Sequence, residues 1–202
     1  MPSETCARII SNILNPLVLP LFVIGFVAVI STPNLVSELK IFTLSTVLFA
    51  GIPLVAVVLI LSGSKHSSID FDARSSRHWL YLSSILSYGV GGLVVFADLF
   101  SGMFRVIIVV YTLNLIVAFL LNLRWKVSVH SGSLFSTAIL FLWIGMRFEF
   151  HPWALFFGAF LLISSPLVFW SRRKLKVHSL TELFLGAFTG LVISIVGIWL
   201  FG

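Results

Sequence analysis

Residues 171–186 read Ser171-Arg172, five residues, His178, three residues, Glu182 and then Gly186. On a helix, His178 and Glu182 stand at i and i+4 and share a face. A carboxylate in that place holds one imidazole nitrogen and leaves the other free to attack an electrophile. Arg172 adds a planar fork of N–H donors that matches phosphate oxygens. A charged Glu182 at the mouth of an apolar stretch is costly unless paired, which sets a functional role beside the plainer one of a capping residue in a basic cluster. The chemistry open to these residue types at this spacing is attack by an imidazole on phosphorus.

Two more clusters carry compatible groups. Lys126-Val127-Ser128-Val129-His130-Ser131-Gly132 lies between two apolar runs. His130 there can protonate a leaving oxygen, and Lys126 and Ser128 can donate to phosphate oxygens. The segment from Lys65 to His78 contains Asp70-Phe71-Asp72-Ala73-Arg74 and then Arg77. Arg74 and Arg77, three apart, share a face if helical, and several arginines converge stably only around an anion. Asp70 and Asp72 admit a second reading as an Asp-x-Asp pair for a divalent metal. They equally admit a supporting role beside Arg74 and Arg77, or plain exposure to water.

These clusters need elements to bring them together. The chain has 202 residues, 59% hydrophobic and 10% charged, with a mean hydropathy of +1.12. A soluble domain carries roughly 25% charged residues, and a chain this short cannot hide so much apolar surface in one core. An ordinary soluble domain, a disordered chain and a nucleic-acid-binding module are excluded. The single cysteine, Cys6, excludes an internal disulfide and a cysteine zinc site. An all-α, polytopic transmembrane helix bundle remains. Apolar runs of spanning length occur at 9–31, 40–62, 79–99, 103–122, 131–148, 152–170 and 180–201. Pro16 and Pro20 predict a kink early in the first, which is too long for a signal-peptide core. The fifth is the shortest. No repeat or linker divides the chain, so residues 1–202 form one integral-membrane domain.

Parity orders the clusters. If all seven runs cross, the connections 63–78, 123–130 and 171–179 meet at one membrane face. Four of the five histidines (His66, His78, His130 and His178) and ten of the thirteen Lys and Arg residues fall there, against Lys40, Arg105 and Arg147 opposite. The positive-inside rule accounts for part of that bias and puts the face in the cytoplasm. It does not account for the histidines or their spacing.

With three elements in this order, the chain resembles the type 2 phosphatidic acid phosphatase superfamily of integral-membrane lipid phosphatases over about residues 65–186. That family's pattern is Lys, six residues, Arg-Pro; then Pro-Ser-Gly-His; then Ser-Arg, five residues, His, three residues, Asp. The third element matches at Ser171, Arg172 and His178, with Glu182 for Asp. The second matches at Ser128 and His130, with Val127 and Val129 for Pro and Gly. The first is degenerate: with Arg77 as its arginine, Asp70 stands where lysine is expected and His78 where proline is, and Lys65 or Arg74 is left to replace the missing cation. The loop is similar to that of a divergent prokaryotic branch.

The resemblance implies a six-helix phosphatase core, here with one additional span, in a prokaryotic inner membrane. It implies that His178 forms a phosphohistidine, Glu182 orients it and His130 is the general acid. Arg77, Arg74, Arg172, Lys126, Ser128, Ser171 and Lys65 would bind the phosphate. No metal or other cofactor is implied. The expected partner is a phospholipid or polyprenyl phosphate or diphosphate substrate within the membrane lipids, and not nucleic acid. Two rival readings stay open: a membrane protein or transporter that binds anionic lipid without turnover, and a phosphotransferase on the same scaffold.

Overall fold

The computed structural model describes residues 2–31, 34–62, 74–92, 102–147, 149 and 151–202. Among these residues the chain is all-helical, with no strand. The first apolar run yields two helices, α1 (Pro2–Ile13) and α2 (Leu19–Ser31), where a single kinked span is expected from sequence. Pro16 brings no N–H and biases Asn15 away from helical angles. The Asn15 side chain then accepts from Leu17 N at 2.9 Å, and its carbonyl accepts from Val18 and Leu19, which starts α2 afresh. Pro20 falls in the first turn of α2, where its missing N–H costs nothing. With 13 residues, α2 is shorter than a spanning helix requires.

The second run forms α3 (Leu35–Thr46), a π-helical turn (Val47–Gly51) and α4 (Ile52–Ser62) in continuous sequence. Asn34 caps α3 by accepting from Ser37 N at 2.9 Å. Next come α5 (Arg74–Ile85) and a second π-helical turn (Leu86–Gly91). The two π turns face each other. Ser87 donates to Leu48 O at 2.6 Å and Tyr88 to Phe49 O at 2.8 Å. These side chains satisfy carbonyls that a π turn releases from the regular ladder.

The remaining helices are α6 (Gly102–Asn122), α7 (Val129–Arg147), α8 (Pro152–Ile163), α9 (Ser165–Lys174) and α10 (Leu180–Phe201). Helices α8 and α9 bend at Ser164, just before Pro166. Five helical stretches are long and apolar enough to cross a membrane: Leu35–Leu59, Gly102–Asn122, Val129–Arg147, Pro152–Lys174 and Leu180–Phe201. The described residues thus make an integral-membrane helical protein with five such stretches, where seven crossings are expected from sequence. The run at 79–99 is described only to residue 92.

The fifth run, shortest in sequence, forms the centre. In α7, 56% of the spanning window is buried, against 33% in each of the other four. It packs against α8, α10, α6 and α2. Lipid gives helices no hydrophobic reason to associate, so close packing of small residues must do it. The α7–α10 seam is built that way, with Gly132 and Ser136 facing Gly186 and Gly190. A Cβ on Gly190 would overlap the Gly132 carbonyl, and one on Gly186 would fall 2.5 Å from Ser131 Oγ. Ser131 donates to Leu183 O at 2.8 Å and Ser136 to Gly190 O at 3.2 Å across the seam. The exterior is apolar, with Ile163, Phe184 and Phe188 exposed. Exposed tryptophans stand toward both ends, Trp79, Trp125 and Trp170 at one and Trp153 and Trp199 at the other, as at two membrane interfaces.

Candidate functional site

The seam brings the α6–α7 and α9–α10 connections to one end of the bundle, where Ser128 N donates to Glu182 O at 3.2 Å. Three local devices then aim the side chains. Ser128 precedes α7 as its cap, accepting from Ser131 N at 3.5 Å, so His130 enters in the first turn of a fixed helix. At the end of α9, Lys176 takes a left-handed conformation (φ 56°). Lys176 N bonds to Arg173 O at 3.0 Å and Val177 N to Arg172 O at 3.2 Å. That is a Schellman turn built without its usual glycine, and it folds the chain back so that His178 follows closely on Arg172. The third device is a capping box on α10: Ser179 Oγ accepts from Glu182 N at 3.2 Å, and Glu182 Oε2 accepts from Ser179 N at 3.1 Å.

His178 donates from Nδ1 to that same Oε2 at 3.0 Å. The pair therefore meets across the start of the helix, with His178 one residue before the cap, and not along a helical face as the i, i+4 spacing suggests. The capping role and the histidine-holding role, alternatives in the sequence, are filled by one oxygen. Tying Nδ1 leaves Nε2 as the open nitrogen. Burial pushes the His178 imidazole down to about 4 from 6.5, with Arg172 and Lys126 pushing the same way and Glu182 opposing through its hydrogen bond and charge. The ring is therefore neutral, and its free nitrogen nucleophilic, at neutral pH.

Arg172 is 5% exposed and reaches inward, donating from Nη1 to Ser11 Oγ at 2.8 Å. Ser11 also lies 3.3 Å from His130 Nε2. Lys126, Ser128, His130, Arg172 and His178 line one cavity of about 190 Å³. Beyond the polar mouth the cavity continues between α4, α5, α6, α7 and α10, past Val57, Leu80, Leu115 and Ala118 to Tyr88 and Tyr111. Tyr111 OH and Thr137 Oγ1, 2.7 Å apart, lie near its floor. A polar end with cations and two imidazoles thus opens into an apolar shaft.

The other expected residues are placed differently. Ser171 is fully buried and donates to Ala7 O at 2.7 Å, so its hydroxyl is directed at α1 and not into the cavity. Arg74 and Arg77 lie in the first turn of α5, whose later residues Tyr81 and Ser84 line the cavity. His78 packs edge-on to Phe119 at 5.7 Å, outside the cavity lining. Lys65, Asp70 and Asp72 lie outside the described residues. Among the described residues, no three His, Cys, Asp or Glu side chains cluster as metal ligands would.

Sequence reasoning misses Ser11. It is an uncharged hydroxyl inside an apolar run, more than a hundred residues from its partners, and it carries no signal in a single sequence. Compared with known proteins, the chain matches no family model, no curated protein and no solved structure.

Proposed function

We propose that the protein is a membrane-embedded phosphatase of lipid phosphates or diphosphates, working through a phosphohistidine. The observation that carries this reading is the His178 Nδ1–Glu182 Oε2 bond at the mouth of a cavity shared with His130, Arg172 and Lys126. In this mechanism His178 Nε2 attacks phosphorus while Glu182 keeps the Nδ1 proton in place. Arg172 and Lys126 stabilise the charge that spreads over the equatorial oxygens. The bond from phosphorus to the lipid oxygen breaks, and His130 delivers a proton to that oxygen. Water then attacks the phosphohistidine and gives a proton back to His130. Phosphate leaves and His178 is restored.

The apolar shaft suits the chain of an amphiphile, with a polyprenyl phosphate or diphosphate or a phosphatidic-acid-like lipid as the substrate class. In this proposal the bundle is the phosphatase core, and Arg74 and Arg77 join the phosphate from α5. The charge bias puts the site on the cytoplasmic face of a prokaryotic inner membrane. The test is phosphate release by the purified protein in detergent with excess chelator, from phosphatidic acid, phosphatidylglycerol phosphate and a polyprenyl diphosphate. Release that disappears in His178→Ala supports the reading. No release from any of the three overturns it in favour of an anionic-lipid binder.

A further inference from the structure

The N-terminal helix supplies a group to the site that no motif requires. Ala7 and Ser11 are buried in α1, one turn apart; Ala7 O meets Ser171 of α9, and Ser11 meets Arg172 of α9 and His130 of α7. Ser11 is 4% exposed and stands between two groups the mechanism uses, 2.8 Å from Arg172 Nη1 and 3.3 Å from His130 Nε2. Arg172 can only donate, so one lone pair of Ser11 is committed. The hydroxyl keeps a proton and a second lone pair for His130.

We propose that Ser11 is a positioning residue that holds the His130 ring through both of its protonation states. Ser11 Oγ accepts from Nε2–H, which leaves Nδ1 as the nitrogen that gives and regains the proton. Nε2 keeps its proton whether the ring is neutral or imidazolium, so Ser11 is an acceptor in both states. An N–H in the place of Ser11 could serve neither state, since it offers Nε2–H no acceptor. His130 passes between the two, giving a proton to the leaving oxygen and regaining one from water, while the bond at Nε2 keeps the ring in one orientation. Among the described residues, Arg172, His178 and Lys126 are the cationic and imidazole groups that line the cavity with His130. Arg172 is engaged with Ser11 and His178 with Glu182, which leaves Ser11 as the partner held to Nε2.

Ser171 gains a role from this arrangement. Its bond to Ala7 O, one turn before Ser11, clamps α1 to α9. The motif serine thus acts on His130 at second hand, through the helix that carries Ser11.

The proposal rests on the phosphatase reading, and the test separates the two. First-turnover rates are measured on phosphatidic acid, whose alkoxide must be protonated as it leaves, and on p-nitrophenyl phosphate, whose phenolate leaves without help. Native protein and His178→Ala come first: no turnover by the native protein, or equal turnover by both, overturns the phosphatase reading and this inference with it. Given His178-dependent turnover, Ser11→Ala is expected to slow phosphatidic acid by at least about tenfold, a part of the roughly 10²–10⁴ that a placed general acid supplies. It slows p-nitrophenyl phosphate at least about tenfold less, since that step needs no acid and feels only the loss of the Arg172 partner, which both substrates share. Ser11→Thr, which keeps the hydroxyl, recovers most of the loss, and Ser171→Ala reproduces the same selectivity in weaker form. Equal losses on both substrates would show that Ser11 only holds the fold, and no loss on either would show that it does nothing for His130; both overturn the proposal.

Discussion

Replacing Gly186 with alanine pushes α10 away from α7 at the level of the two histidines. A Cβ there falls 2.5 Å from Ser131 Oγ and nearer still to the Ser128 carbonyl oxygen, whereas ordinary contact begins at 3.4 Å. The obstacle is backbone at the cap of α7, which cannot swing aside as a side-chain end can. The seam must open by about 1 Å, because a close-packed interior has no slack to absorb the methyl. Ser131 then loses its 2.8 Å bond to Leu183 O, and Ser128 N its 3.2 Å bond to Glu182 O. His130 is carried by α7 and His178 by the turn into α10, so the acid and the nucleophile separate by the same amount. A misplacement of about 1 Å costs on the order of a hundredfold in rate, and overpacking costs about 1–3 kcal/mol of stability. Phosphate release and thermal unfolding in the same detergent read the two effects. Gly102→Ala is the control, because nothing lies within 4 Å of its Cβ. A Gly186→Ala protein that turns over within about threefold of native would refute the claim that this seam sets the distance between the histidines.

Other outcomes follow from the same geometry. The acid limb of kcat/KM should lie near 4, where His178 gains its proton in the free protein, and Lys126→Met should move it upward because one opposing cation is gone. Between about 4 and 6.5 the unfolded chain binds a proton at His178 that the folded chain refuses, so stability is greatest above 6.5 and falls as pH drops toward 4. Thermal unfolding at pH 5 and pH 7 in one detergent checks the sign. Ser179→Ala removes one half of the capping box and should cost about 1 kcal/mol of stability. It should leave activity nearer native than Glu182→Gln does, since only the latter removes the charge that holds His178. Lys176→Gly relieves a left-handed residue and should raise stability by roughly 1 kcal/mol, seen as a higher unfolding temperature.

The long helices were legible because lipid demands uninterrupted apolar runs: α6 and α10 begin and end within one residue of their runs, and α7 within two. The break after Ile13 was not legible as a break. Proline in a run predicts a kink, and only the Asn15 side chain turning onto Leu17 N makes it an end. At the site, the His178 and Glu182 spacing was legible as a pair, but it coincides with the Ser179-x-x-Glu182 spacing of a capping box. A single sequence offers these as competing explanations, and three-dimensional geometry allows both at once. Ser171 shows the opposite limit, since it matches a motif position while its hydroxyl binds α1. The segment with Lys65, Asp70 and Asp72 lies outside the described residues, so that part of the expectation is carried by residue types alone.

The double duty of Glu182 Oε2 has a thermal consequence. Helix ends fray at free energies far below that of global unfolding. Here fraying of the first turn of α10 removes the acceptor from Ser179 N and from His178 Nδ1 in the same event. The nucleophile is then aligned only in molecules whose first turn is closed. Warming should therefore silence the protein in a reversible step while the bundle is still folded, and amide exchange at Ser179 and Glu182 should rise over the same temperatures. On the proposed reading, one helical turn, and not the melting of the whole, would then set the upper limit of working temperature.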